Sequence, residues 1–137
     1  MRKKSKEDYL RTIYILYEEQ ENKSLGVKSL EIAKSLKISK SSVSQMIRKL
    51  SKVGLVRLNP YSRVFLTSRG LKIAKKITHD YRVIGVFLRD ILGYRSLKKL
   101  SQEAHKLEHA FSQASIKRLD KFLNNPKKCP HGKTIHK

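Results

Sequence analysis

Val43, Met46, Ile47 and Leu50 stand at i, i+3, i+4 and i+7 between Ser39 and Gly54, and no other feature constrains the fold of this chain as tightly. That spacing lines one face of a helix, which Ser39 can cap and Gly54 can end. Upstream, Leu10, Ile13, Tyr14 and Tyr17 keep the same spacing from Glu7 onward. The segment VKSLEIAKSL, residues 27–36, reads as a short second helix carried by Leu30, Ala33 and Leu36. Downstream comes LVRLNPYSRVFLT, in which Leu55, Val56 and Leu58, then Val64, Phe65 and Leu66, predict two short strands about a turn at residues 59–62. Three helices followed by a hairpin make a winged helix-turn-helix.

The remainder is helical. Thr67 or Ser68 can cap a long helix that begins near Gly70 and stops at Gly93. Its Ile73, Ile77, Ile84, Phe87, Leu88 and Ile91 are too many for a helix solvated on most sides, and a partner subunit would cover them. A helix over 96–110 follows, with Leu97, Leu100, Ala104, Leu107 and Phe111 on one stripe, then a last helix over 112–123 and the basic, turn-rich tail NNPKKCPHGKTIHK. The expected architecture is mainly α: a winged-helix domain over residues 1–69 and a helical domain over 70–137.

Charge narrows the function. Thirty-two Lys and Arg oppose 11 Asp and Glu, a formal +21, which points to a polyanionic partner. The longest apolar run is VIGVFL, residues 83–88, far short of a membrane span. An amphipathic membrane-surface role is disfavoured because the apolar faces are needed for a core. The amino terminus MRKKSKED has no signal-peptide core, so a cytoplasmic location is expected. Cys129 is the only cysteine, which excludes an internal disulfide and a Cys-rich zinc knuckle.

The third helix carries the reading chemistry for duplex DNA. With its apolar stripe turned inward, Ser41, Ser44, Gln45, Arg48 and Lys52 face outward and Ser42 sits at the edge, beside Ser39 and Lys40 at the helix start. Gln suits adenine, Arg suits guanine, and the serines can meet bases or phosphates. A few Ser, Gln and Arg residues also occur on any solvated helix face; the wing and the charge favour DNA. In the wing, Arg57, Tyr61 and Arg63 can reach phosphates or a minor groove. Lys28, Lys40, Lys49, Arg2, Lys3 and Lys4 add salt-sensitive attraction.

The stretch HKLEH, residues 105–109, holds a second chemistry. Its H-x-x-E-H pattern is one used by a class of zinc peptidases. On a helix, His105, Glu108 and His109 fall within roughly a quarter-turn, so their donors can converge on one first-row divalent cation. A surface His–Glu pair is the commoner use of such spacing. A peptidase needs a third protein ligand and a substrate cleft, yet after His109 the sole carboxylate side chain is Asp120. Catalysis is therefore not expected, and no small organic substrate is implied.

EDYLRTIYIL, SSVSQMIRKLSKVGLV, LTSRG, EAHKLEHAFS and PKKCPHGKTI, in that order across nearly the whole chain, resemble the iron- and manganese-dependent repressors of the diphtheria toxin repressor and manganese transport regulator family. The resemblance implies a winged helix followed by a dimerisation and metal-binding domain. It further implies a homodimer that binds palindromic operators when loaded with Mn2+ or Fe2+ and represses metal uptake. It also implies the two-domain form without the SH3-like domain that many members carry.

By the EDY match Asp8 is the first ligand, joined by His105, Glu108 and His109. His105 departs from the family, which usually has Cys or Glu there, and with two histidines Zn2+ and Co2+ are also admissible. The family's second site is expected to be degraded, with Tyr81, Gly85 and Ser101 at its ligand positions and His79 two residues away, leaving about one ion per subunit. Arg63 lies one place beyond the usual wing arginine. Cys129, His131 and His136 tempt a further metal reading, but the CPHG turn recurs in the family and more simply closes the domain. The alternative function is a metal-independent, architectural winged-helix protein with a vestigial or structural metal site.

Overall fold

A computed structural model describes residues 4–136 of the chain; Arg2 and Lys3 of the basic amino terminus lie outside the described residues. Two compact units divide it, residues 1–75 and 76–137. Among the described residues no helix is long and apolar enough to cross a membrane.

In the first unit, α1 (Lys6–Glu19), α2 (Ser29–Leu36) and α3 (Lys40–Lys52) are followed by the hairpin of β2 (Val56–Leu58) and β3 (Arg63–Leu66). Ser5 starts α1 by a capping box: its hydroxyl accepts the Asp8 amide and its own amide donates to the Asp8 carboxylate. The apolar stripe of α3 behaves as its spacing demands, with Val43, Met46, Ile47 and Leu50 all buried. Gly54 takes φ +76°, the left-handed conformation that closes a helix at little cost for glycine.

Two features differ from the sequence reading. Val27 and Lys28 do not begin the second helix but form a short strand, β1 (Val27–Lys28), against β3, so the sheet has three strands in the order β1-β3-β2. The helix consequently starts at Ser29. Its buried residues are Ile32 and Ala33, whereas Leu30, in the first turn, is exposed and Leu36 only half-buried.

The hairpin turn is set by Asn59, whose side-chain oxygen accepts the amides of Tyr61 and Arg63, with Ser62 at φ +59°. Thr67 caps α4 (Ser68–Asp90) through the Gly70 amide. Gly70 is fixed there by contact, because a Cβ at this position would stand 1.9 Å from the Leu55 carbonyl oxygen.

The second unit takes the rest of α4, then α5 (Leu97–Glu108) and α6 (Gln113–Phe122). Ile84, Leu88, Leu100, Ala104 and Ile116 form one buried cluster. Val83, Val86, Cys129 and Ile135 form another, through which the tail packs on α4. The tail is a small hairpin in which the Cys129 amide donates to the Lys133 carbonyl and Arg82, itself buried, donates to the Thr134 carbonyl. Leu97, placed on the inner stripe by its spacing, is exposed because it is the first residue after the Ser96 cap. Ile91 and Leu92, just past α4, are also exposed.

Candidate metal centre and nucleic-acid interface

On α3 the apolar stripe fixes which side chains look outward. Ser41, Ser42, Ser44, Gln45, Arg48, Lys49 and Lys52 are exposed. Ser39 is the N-cap, accepting the Ser42 amide at 3.1 Å and linked to the hydroxyls of Ser41 and Ser42. Arg48 lies back along the helix, its Nε donating to the Ser44 carbonyl at 3.3 Å. The first turn therefore presents three hydroxyls and free helix amides, a combination suited to phosphate, while Gln45 supplies an amide edge for a base. Lys28 and Lys40 are exposed nearby in sequence, and Lys4 is half-buried.

The wing residues diverge. Tyr61, at its tip, is 84% exposed. Arg57 is exposed and stacks its guanidinium over the Phe65 ring at 5.0 Å, which holds the cation outward without consuming its charge. Arg63 instead turns back into the unit, half-buried, and donates to the Gly26 carbonyl at 3.3 Å.

The second unit brings His105, Glu108 and His109 together. One donor atom from each lies within 4.8 Å of the others. His105 is on α5, Glu108 is its last residue, and His109 is the C-cap, with φ −79° and ψ −18° that continue the helical path. The two imidazole rings meet edge to face, centroids 5.1 Å apart. The Glu108 side chain is 3% exposed, and its Oε1 lies 3.7 Å from His109 Nε2. A carboxylate so far withdrawn from water needs positive charge close by. Two imidazoles and one buried carboxylate are also a donor set that suits first-row divalent cations.

Asp8 lies in the first unit, buried near the start of α1. One carboxylate oxygen takes the Ser5 amide at 2.8 Å and hydroxyl at 3.0 Å, and the other faces the Arg11 guanidinium at 3.3 Å. The Ser5-x-x-Asp8 spacing was the available signal for this cap; the Arg11 contact follows from its i+3 position.

Two of the positions at which a degraded second site is expected have close neighbours. A side chain at Gly85 would press on Pro130, 3.2 Å from the position of its Cβ, and the Ser101 hydroxyl pairs with His131 Nε2 at 3.1 Å. Cys129 is buried and carries no disulfide.

His79 was not recognisable from sequence as part of a cluster. Its Nδ1 lies 3.0 Å from Asp80 Oδ1 and its Nε2 3.4 Å from Asp120 Oδ2, while Gln113 donates to the other Asp80 oxygen at 3.2 Å. The Asp80 hydrogen bond, aided by both carboxylate charges and opposed by burial, raises the His79 pKa. With each ring nitrogen directed at a carboxylate, this imidazole is arranged as a cation joining α4 to α6.

A winged helix with a donor-rich outer face and a helical unit that gathers two imidazoles and a carboxylate are the working parts of a metal-responsive DNA-binding protein. Residues 1–64 match the iron dependent repressor N-terminal DNA binding domain, and residues 67–137 match the iron dependent repressor metal binding and dimerisation domain. The chain belongs to the iron-dependent repressor family. It is 40% identical over 117 residues to an uncharacterized HTH-type transcriptional regulator of Methanocaldococcus jannaschii, covering 85% of this chain and 90% of that one. It is 35% identical over 131 residues to the iron-dependent repressor IdeR of Mycobacterium tuberculosis, covering 94% of this chain and 54% of the relative. The solved structure of the manganese regulator SloR superposes with a TM-score of 0.84 at 38% identity, covering 99% of this chain and 61% of SloR. The chain thus spans little more than half the length of IdeR and about three fifths of SloR.

Proposed function

We propose that this protein is a homodimeric, cytoplasmic transcriptional repressor that reads a palindromic operator when a divalent cation occupies the site of Asp8, His105, Glu108 and His109. The observation that carries the reading is the convergence of the His105, Glu108 and His109 donors within 4.8 Å in a chain that also holds a winged helix. Family membership supports Asp8 as the fourth ligand, as does its buried carboxylate on the first helix of the reader. The cation supplies positive charge and a fixed coordination geometry, with Mn2+ or Fe2+ best matched to two carboxylates and Zn2+ or Co2+ admitted by two imidazoles.

The protein's own residues do the rest. Ser39, Lys40, Ser41 and Ser42 hold phosphate at the start of α3, Ser44, Gln45 and Arg48 face the bases, and Lys28, Arg57 and Tyr61 flank them. Arg63 steadies the wing from behind rather than reaching outward, its guanidinium held by Gly26. Because Asp8 belongs to the reader and the other three ligands to the helical unit, ligation by all four sets the separation of the two readers in a dimer. The differential affinity of the ion for that arrangement is the whole of its leverage. Ile91, Leu92 and Leu97, all exposed, supply apolar area for the subunit contact.

The test is operator selection from random duplexes at fixed salt, with Mn2+, Fe2+, Zn2+ or chelator, for the native chain and Asp8→Asn. The asparagine retains an acceptor for the Ser5 cap and so spares α1, while removing a ligand charge. Tight binding that requires one ion and is lost in Asp8→Asn is the expected result. Equal binding in chelator would make the protein a constitutive DNA binder with a structural metal site. Hydrolysis dependent on Glu108 would be needed to restore an enzymatic reading.

A further inference from the structure

The charge of the chain is not confined to its reader. Residues 1–75 hold 18 Lys and Arg against six Asp and Glu, a formal +12, and residues 76–137 hold 14 against five, a formal +9. Within the second unit the excess is concentrated at the end, since from Ala110 onward there are seven cations and one carboxylate, Asp120.

We propose that α6 and the hairpin after it form a second, sequence-independent surface for the phosphate backbone of duplex DNA. Lys117, Arg118 and Lys121 fall at i, i+1 and i+4 on α6 and all are exposed, as are Lys127 and Lys128 in the segment that follows. None of these five has an ion-pair partner among the described residues. The one carboxylate side chain of α6 and the hairpin is turned away, because Asp120 faces His79 at 3.4 Å on the inner side of the helix. A helix in solution ordinarily intersperses acids among its bases; here the sole acid is spent inside.

The surface is also rigid. Ile116 is buried in the core, Leu119 packs on both clusters of the unit, and Gln113 and Asp120 tie α6 to Asp80 and His79 on α4. After α6 the chain reverses through Asn124 and Asn125, both at positive φ, the Asn125 amide donating to the Asp120 carbonyl. Buried contacts in the hairpin then hold Cys129 and Ile135. Cations on such a frame lose little backbone freedom on meeting phosphate. DNA is the partner chosen because the winged helix already brings a polyanion to the molecule, so its flanking phosphates arrive at high effective concentration. This choice rests on the DNA-binding reading above.

The experiment uses the full chain and the triple variant Lys117→Gln, Arg118→Gln, Lys121→Gln, with the triple Lys117→Arg, Arg118→Lys, Lys121→Arg as a charge-preserving control. Affinity for an operator duplex and for a scrambled duplex of equal length is measured across a salt series. Each phosphate contact contributes about 0.9 to the slope of log K against log salt, so the glutamine variant should lose roughly two to three from the slope on both duplexes. The control should match the native chain. An effect confined to duplexes longer than the winged-helix footprint assigns the contact to flanking DNA. Co-capture of two differently labelled duplexes, lost in the glutamine variant, assigns it to a second duplex. An unchanged slope on every duplex overturns the proposal, as does a loss confined to phosphatidylserine vesicles. If operator and scrambled duplex bind alike with any metal, but the slope still falls, the repressor reading fails and this surface stands.

Discussion

Ser39 and Ser96 open α3 and α5 in the same way, each hydroxyl accepting the amide of the residue three places on, and each helix then buries one apolar stripe. The remaining faces diverge. On α3 the side chains proposed to meet DNA are all exposed, spread over more than two turns, and make few contacts of their own. On α5 they are crowded into the last turn, with the Glu108 carboxylate almost wholly withdrawn from water. A long polyanion tolerates side chains that settle into place on binding. A cation about which every donor must arrive within a few tenths of an ångström does not. On the proposed reading, one local plan thus serves approximate recognition in one unit and tight convergence in the other.

The largest test of that contrast is His109→Ala. Loss of one ligand from a convergent set should weaken Mn2+ or Fe2+ binding by at least about 100-fold, read by calorimetry, while duplex affinity in chelator stays as it was. If metal affinity fell only slightly, α5 would be as tolerant as α3 and the contrast would collapse.

Arg48→Ala probes the other side. It should cost about 1–3 kcal/mol of discrimination at one base-pair position, read by competition among point-changed operators, with metal affinity unchanged. Uniform weakening on all sequences would place Arg48 on phosphate instead.

The shared cap gives a matched pair. Ser39→Ala and Ser96→Ala should each remove about 1 kcal/mol of stability by chemical denaturation, and only Ser39→Ala should also weaken DNA binding.

The smallest effect concerns His79. Its folded pKa is raised, chiefly by the Asp80 hydrogen bond, above the value of about 6.5 in an unfolded chain. The pairing with Asp80 and Asp120 therefore stabilises fully below that unfolded value and is lost as pH rises through the folded one. The thermal midpoint should drop by roughly a few degrees more across that window in the native chain than in His79→Gln.

Much of this was legible in the sequence for a physical reason: a helix writes its buried face into local spacing, so α1, α3, α4 and α5 could be drawn from apolar residues three and four apart. Leu30 and Leu97 misled because both sit in a first turn, where a side chain lies near the end of the packed stripe and can point out of it. Strand β1 was invisible, being two residues long and defined only by pairing with β3, 37 residues later in register at Val27 and Val64. HKLEH showed three candidate ligands because helical spacing alone brings them together. Asp8 came from the family resemblance, and no spacing rule links it to residues a hundred positions on. The His79–Asp120 contact, likewise, spans elements whose packing local sequence does not encode. For Arg63 the residue type was legible but its direction was not, because the Gly26 carbonyl decides it.

Gly70 carries a consequence for how such a chain can change over time. A helix interior ordinarily welcomes alanine in place of glycine, and so drift at most helical glycines is downhill. Here the first carbon of any side chain would collide with a main-chain oxygen, at Leu55, that no rotamer can move aside. Variants at this position must shift the segment that begins β2 or the turn that begins α4, and both shifts reach the wing. The position is closed to gradual exploration, and a lineage can alter the reader's face, its charge or its ligands one residue at a time while this seam stays shut.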